Sequence, residues 1–329
     1  MNRLRVGVIG LGIGRRHLQS LTGMEGVEVA GIADTDPARL AACSAEFSVR
    51  AYPTAEALFD AERLDAVSIC TPPASHRHLT EDAARRGIHV LCEKPMAPSL
   101  NDCEAMAAAC RRADVRLMVA QKKRFDTLVT RMKELVQAEL GTIRWGLVKY
   151  ALGRVPMDWF WDEQDGGGPL QENSIHAIDT LRFLMGDVRT VMAVGGTLFN
   201  PDRAPQPDVA AVSLQFVNGS IAALGLGQAS EWAFATEHFF FACDHGEARF
   251  GGRFDASTEW WMALRDAPDR AAAESVEPAD CFDSEIGHFL NCVRTGQEPL
   301  VTGEDAARSV AVTLAIKESI RTGRAVVLA

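Results

Sequence analysis

The chain has 329 residues, 47% of them apolar and 24% charged, with a formal net charge of −10. That balance is the balance of a globular protein, and at roughly 100–200 residues per domain the length predicts two domains with sizeable cores. Most of the excess acid falls after residue 120, much of it between Asp266 and Glu285; a solvated acidic surface of this kind disfavours nucleic acid and anionic membrane as partners.

The eight cysteines form no C-x-x-C pair and show no ligand spacing, so reduced, mostly buried thiols and no bound metal are expected. His76 and His78 form a His-x-His with no carboxylate or cysteine set beside it, which does not support a metal site. Met1-Asn2-Arg3 runs almost directly into a strand, without the h-region of a signal peptide. No apolar run approaches the ~18 residues of a membrane span. A cytoplasmic location is the expectation.

In chain order, residues 4–10 read as a buried strand, followed by a glycine-rich turn and a helix from about Arg15 to Leu21. Residues 27–33 are a second strand ending at Asp34. The next helix opens with Asp36 as N-cap and Pro37 in its first turn. Further short strands are predicted at Ala66–Cys70, Ile88–Cys92 and Leu117–Ala120, with helices at 75–86 and 99–113. Strands alternating with helices imply βαβ units and a parallel sheet. After about residue 120 the pattern changes. Strands are predicted at Ile143–Ala151, Thr190–Thr197, Ala210–Phe216, Ile221–Leu226, Glu237–Ala242 and Glu247–Phe250, with a hairpin signal at Asn218-Gly219. Consecutive strands imply a large, mostly antiparallel sheet in an α+β arrangement. Helices remain at 124–139, 173–185, 283–294 and 303–322. The division is drawn at 1–120 and 121–329 on this change of pattern, since no linker is visible.

Gly10-Leu11-Gly12-Ile13-Gly14 lies between the first strand and the first helix. Glycines there let a pyrophosphate approach the backbone, and a helix N-terminus offers unpaired N–H groups and positive dipole. Asp34 ends the second strand, where a carboxylate accepts hydrogen bonds from ribose hydroxyls and repels a 2′-phosphate. Thr35-Asp36 supplies no arginine for such a phosphate. The first domain therefore reads as a doubly wound, Rossmann-type dinucleotide-binding unit, for NAD rather than NADP, with Gly10, Gly12, Ile13, Gly14 and Asp34 at the cofactor. The spacing departs from G-x-G-x-x-G, because the third glycine comes one residue early and position 15 is arginine. Either the turn is shortened or the helix starts sooner, and Arg15 or Arg16 could add charge near the phosphates.

Three further segments suggest an active site. Cys70-Thr71-Pro72-Pro73-Ala74-Ser75-His76 and Glu93-Lys94-Pro95 both follow strands, and ligands in open parallel sheets collect beyond the strands' carboxyl ends. Thr71, Pro72, His76, Glu93 and Lys94 are accordingly expected at the cofactor. The third segment runs from Gly166-Gly167-Gly168 through Glu172, Asn173 and His176 to Asp179. On a helix, Glu172 and His176 stand one turn apart and Asp179 one turn beyond. Trp159, Phe160 and Trp161, just before it, either stack on a sugar face or pack a core or subunit interface.

Together these segments resemble the glucose–fructose oxidoreductase, inositol dehydrogenase and rhizopine-catabolism (Gfo/Idh/MocA) family. The resemblance includes Gln121-Lys122-Lys123-Arg124-Phe125 and the tail from Glu285 to Pro299-Leu-Val-Thr-Gly-Glu-Asp. It implies that Lys94 reaches the reacting oxygen, that Lys94-Pro95 is a cis bond, and that His176 is the acid/base with Glu172 orienting it or contacting substrate. Glu172 stands where inositol-type members have Asp; it is otherwise an acid complementing a helix dipole. Lys94, Arg124, Trp161, Glu172, Asn173 and His176 are the expected substrate contacts. Lys122-Lys123-Arg124 reads as a solvated patch, or Arg124 as a domain anchor. Relatives acting on dihydrodiols or bile pigment have Tyr in place of His176, and related glycosidases have Tyr in place of Asn173. The resemblance thus implies oxidation of a sugar, inositol or polyol hydroxyl.

The chemistry agrees without the family. Alcohol oxidation needs a hydride acceptor, a base and a donor to the developing alkoxide. A nicotinamide is the first, His176, with an ordinary pKa near ~6.5, the second, and Lys94 the third. Two other functions fit the same residues: an NAD-retaining glycoside hydrolase or lyase working through transient oxidation, and a non-catalytic NAD-binding sensor, against which the presence of both Lys94 and His176 argues. A homodimer or homotetramer is expected, because Ala210–Phe216 and Ile221–Leu226 lack the polar alternation of a solvated face.

Overall fold

The computed structural model describes residues 3–203 and 205–328. Met1 and Asn2, on which part of the N-terminal reading rests, lie outside them. The chain forms two compact units. The first comprises the chain up to Lys122 together with Asp280–Ala307, and the second Lys123–Ala279 with the chain from Arg308 onward.

The first unit is built on β1 (Leu4–Ile9), α1 (Gly14–Gly23), β2 (Val27–Ala33), α2 (Pro37–Phe47), β3 (Ala51–Tyr52), α3 (Ala55–Ala61), β4 (Ala66–Ile69), α4 (His76–Arg85), β5 (His89–Glu93), α5 (Leu100–Arg112) and β6 (Leu117–Ala120). Its six strands are all parallel, in the order β3-β2-β1-β4-β5-β6. The order reverses between β1 and β4, the switch point where ligands collect beyond the carboxyl ends of the strands. β4 and β6 are buried throughout and β1 from Val6 onward, which is why these strands read as mostly apolar runs. Asp36 caps α2 as expected, accepting from the N–H groups of Ala38 and Arg39 at 2.9 and 3.2 Å.

The second unit opens with α6 (Thr127–Leu135) and a single π turn at Val136–Leu140, and continues through β7 (Ile143–Gly153), α7 (Asp158–Trp161), α8 (Pro169–Glu172), α9 (Ile175–Met185), β8 (Val188–Gly196), β9 (Val209–Phe216), β10 (Ile221–Ser230), β11 (Thr236–Cys243), β12 (Gly246–Arg253), β13 (Ala256–Leu264) and β14 (Ala267–Ser275). Two helices follow, α10 (Cys281–Thr295) and α11 (Gly303–Thr322), then β15 (Val326–Val327). The nine-stranded sheet is antiparallel except where β10 runs parallel to β7. That exception follows from order: β8 and β9 come between the two in sequence but lie to one side of them in the sheet. One face carries the core of the unit, with Tyr150, Leu152, Phe216, Phe239, Phe250 and Trp260 buried against α6, α9 and the later part of α11.

The elements differ from expectation at the short and charged ends. β3 has two residues and α3 seven, too few for a period to show. β13 and β14 extend the sheet, and β14 runs through the acidic stretch that reads as surface in the sequence; its edge position explains the composition. The return of Asp280–Ala307 to the first unit, through packing of α10 on α1, makes both units discontinuous, whereas the sequence pattern suggested a single boundary. None of the eight cysteines is in a disulfide, and all but Cys281 are buried. No helix among the described residues is long and apolar enough to cross a membrane.

Candidate active site

In the first unit the glycine turn is built by close packing. Gly10 has φ +82°, and a Cβ there would meet the Cys70 carbonyl oxygen at 2.6 Å. Gly12 is exposed, with nothing within 4 Å of its would-be Cβ. Gly14 is the first residue of α1 and packs on Val8 and Cys70, each 3.1 Å from its would-be Cβ. The early third glycine is thus resolved by an early helix start: Gly10 makes the turn, Gly12 leaves the approach open, and Gly14 brings helix and strand together. Ile13 is 45% exposed beside the open position. These residues fit a pyrophosphate at the N-terminus of α1.

Arg15 and Arg16 each have an acidic partner. Arg15 pairs with Glu46, and Arg16 with Asp280. Asp34 is buried, with Oδ2 accepting from Leu11 N–H at 2.7 Å and Oδ1 from Asp36 N–H at 2.8 Å. A carboxylate has about four acceptor positions, so room remains for ribose hydroxyls. The sequence offered no arginine in Thr35-Asp36, but the first turn of α2 brings one: Arg39 lies 3.4 Å from Asp34 and 3.1 Å from Asp36.

The loops after β4 and β5 differ in what they expose. Thr71 is half-buried and Pro72 exposed. His76, expected at the cofactor, is fully buried and faces main-chain carbonyls with both ring nitrogens, Nδ1 at 3.1 Å from Met96 O and Nε2 at 2.8 Å from Thr71 O. It therefore ties one loop to the other and offers no polar atom to a ligand; burial pushes its pKa down. Glu93 is likewise turned inward, Oε1 lying 3.0 Å from His17 Nε2 and Oε2 accepting from Lys94 N–H at 3.0 Å. Lys94 is half-buried, and the Lys94-Pro95 bond is cis.

In the second unit, Gly167 and Gly168 have φ near +80°, and the run turns so tightly that a Cβ on Gly166 would meet Trp159 O at 2.5 Å. The turn feeds α8, which ends at Glu172; Asn173 and Ser174 keep helical dihedrals and lead into α9, which carries His176 and Asp179. Glu172, Asn173 and His176 are all buried, and Asn173 Nδ2 has no hydrogen-bond partner, a state that costs ~1–3 kcal/mol. Asp179 holds Arg124 through two bonds of 2.7 Å and accepts from Ser309 at 2.8 Å. Arg124 is therefore held in a buried ion pair, and Lys122-Lys123-Arg124 is not a solvated patch. Lys123 is buried as well, 2.5 Å from Glu237 and 3.5 Å from Asp126 and Asp255. Trp161, expected at the substrate, packs with Val155 and Phe160 and donates Nε1–H to Val155 O at 2.9 Å; its ring has a neighbour already in Arg203.

Three residues were missed. Gln121 follows β6 as Lys94 follows β5; it is buried and neither side-chain amide atom has a partner. The strand-end rule that singled out Thr71 and Lys94 could have found it. Tyr150 is buried in β7 with no partner for its hydroxyl, and burial, then Glu237, Asp255 and Glu172, push its pKa up. His17 carries no sequence signal beyond its place in the first helix.

Residues 4–121 match the family model described as an oxidoreductase family with an NAD-binding Rossmann fold, and residues 129–249 match the GFO/IDH/MocA C-terminal domain. A D-apiose dehydrogenase of Paraburkholderia graminis is 32% identical, over 100% of this chain and 90% of its own. A myo-inositol 2-dehydrogenase of Thermotoga maritima is 28% identical, over 99% of this chain and 98% of its own. The crystal structure of an Agrobacterium radiobacter oxidoreductase in complex with NAD+, L-tartaric acid and magnesium superposes with a TM-score of 0.88, at 26% identity over 99% of this chain and 98% of that one. With the two family models matched in order between residues 4 and 249, and a relative 32% identical along the whole chain, the chain is an oxidoreductase with an NAD-binding Rossmann fold and belongs to the Gfo/Idh/MocA family.

Proposed function

We propose that this protein is an NAD-dependent dehydrogenase that oxidises a secondary alcohol of a sugar, inositol or related polyol. The observation that carries the reading is the register of the first unit: the open Gly12, the anchored Asp34 and the Glu93-Lys94-Pro95 loop all stand at the carboxyl ends of one parallel sheet. Residues of the 1–120 region hold the cofactor and residues of 121–329 supply substrate contacts and the subunit interface. When bound, the nicotinamide supplies the hydride acceptor. His176 takes the hydroxyl proton, Lys94 places its ammonium at the oxygen as negative charge develops, and Glu172 orients His176 or holds a neighbouring hydroxyl. Asn173 donates its spare N–H to the substrate. The dehydrogenase names of the two relatives support this substrate class.

Asp34 favours NAD, since a 2′-phosphate would meet a buried carboxylate, while Arg39 moderates that penalty. Asp34→Ala should erase the preference, and a wild-type protein that binds NADPH more tightly than NADH would contradict it.

The experiment is a panel of sugars, inositols and linear polyols incubated with the protein and NAD+, following nicotinamide absorbance. Continuous accumulation of NADH with one alcohol supports the dehydrogenase. Substrate cleavage without net NADH indicates the hydride-returning hydrolase or lyase, and tight NADH binding with no turnover of any alcohol indicates a sensor.

A further inference from the structure

The mechanism leaves a fully buried histidine of the first unit without a task. His17 stands in α1 three residues after the last glycine of the turn, with no solvent exposure. Its Nε2 is 3.0 Å from Glu93 Oε1 and its Nδ1 2.8 Å from Ser68 Oγ. Ser68 Oγ lies 3.3 Å from Cys70 Sγ, and the second oxygen of Glu93 accepts from Lys94 N–H at 3.0 Å. Phe282 of α10 covers the imidazole edge-on at 5.7 Å. Unlike Ser20 of the same helix, whose buried hydroxyl has no partner, His17 has a polar partner at each ring nitrogen.

We propose that His17 is a positioning residue for Lys94: through Glu93 it fixes the backbone from which the Lys94 side chain projects, and it locks that loop to the helix that starts at the glycine turn. The proposal rests on Lys94 being the group at the substrate oxygen. The chain of bonds closes in either protonation state, because Nε2–H donates to Glu93 while Nδ1 either donates to Ser68 or accepts its hydroxyl proton. Glu93 thereby has one oxygen for the helix and one for the loop, and neither is left to wander. Removing His17 leaves a buried carboxylate without its partner, and that carboxylate is recovered only by movement of the Glu93-Lys94 segment or entry of water. A shift of about 1 Å at a catalytic group costs on the order of 10²-fold in rate, so a small displacement is enough to be read.

The test compares His17→Leu, His17→Gln and Lys94→Ala, alone and combined, with the alcohol of the panel that turns over fastest. His17→Leu should lower kcat at least about tenfold while changing the Kd for NADH less than about threefold. His17→Gln, whose amide can still donate to Glu93, should recover most of the loss. In the Lys94→Ala background His17→Leu should cost nothing further, because the residue acts through Lys94. A crystal structure of His17→Leu should show the Glu93 to Lys94 N–H bond broken. Wild-type kcat in His17→Leu, or losses that multiply in the double variant, would overturn the proposal. Wild-type turnover in Lys94→Ala would overturn the catalytic reading itself, and with it the role given to His17. Should His17→Leu fail to fold, Glu93→Gln keeps the size and removes the charge, and the same non-additivity with Lys94→Ala is required of it.

Discussion

Lys123 and Arg124 are neighbours in the sequence, and both are buried among carboxylates. Long cations in a K-K-R run usually end in water, and nothing local says otherwise; only the fold brings Glu237 from β11 and Asp179 from α9. Breaking such a pair by removing one partner costs about 3–5 kcal/mol, since the other charge stays buried. Lys123→Met and Asp179→Asn should each lower the unfolding free energy by that order, measured by chemical denaturation. The strand ends were legible by position, but position did not say which of the residues there turn inward. His76 and Glu93 turn inward, and Trp161 is sequestered; their partners come from elsewhere in the fold and leave no local trace. His17 also yields a pH prediction. Burial alone would push its pKa down, but the Cys70 sulfur and the Glu93 carboxylate outweigh this and hold it well above the ordinary value, while Glu93 is held below its own. Arg16 and Lys122 lie over the Phe282 ring that packs against His17. A raised histidine contributes stability that is complete below ~6.5 and is lost as pH rises through its folded value; the lowered Glu93 loses its share as pH falls through its folded value. The gap in melting temperature between wild type and His17→Leu should therefore narrow from neutral toward alkaline pH, and a gap that widens would contradict the assignment.

At the scale of elements, the glycine turn separates two roles that the sequence could only lump together. At Gly10 a Cβ would run into the Cys70 carbonyl and the backbone has positive φ, so Gly10→Ala should destabilise the fold by at least ~1 kcal/mol. At Gly12 a Cβ meets nothing. Gly12→Ala should melt like wild type yet weaken NADH binding about tenfold, as titration of cofactor fluorescence would show; unchanged affinity would mean that the pyrophosphate does not pass there. α5 was legible because burial of one face imposes a period, and the parallel strands because burial on both faces leaves short apolar runs. α3 and β3 were too short to show one. β14, with its Ala-rich and acidic sequence, is a strand because β13 supplies its ladder, not because its own residues prefer one.

For the whole molecule, the resemblance of the full sequence gave the order of domains, while the return of Asp280–Ala307 to the first unit depends on contacts between α10 and α1 that no linear pattern announces. The sheet of the second unit leaves one face without cover within the described chain. Trp145, Leu147, Met192, Val194, Ile221 and Phe240 are each 36–64% exposed. The register puts them on one side, since Ile221 pairs with Trp145 and Phe240 with Leu147. An apolar face of this kind on a stable protein marks an association surface, and we expect a dimer or tetramer by light scattering at micromolar concentration. Leu147→Asp combined with Phe240→Asp should shift it to monomer, and a wild-type monomer would refute the assignment. Lys94 and His176 are proposed as the two groups that serve the oxidation, and the measurement that tests this most directly is the turnover of Lys94→Ala and His176→Ala set beside their affinity for NADH. Each variant should bind NADH nearly as the wild type does and turn over the alcohol roughly 10²-fold or more slowly. Wild-type turnover in either variant would contradict the mechanism, whatever the cofactor affinity.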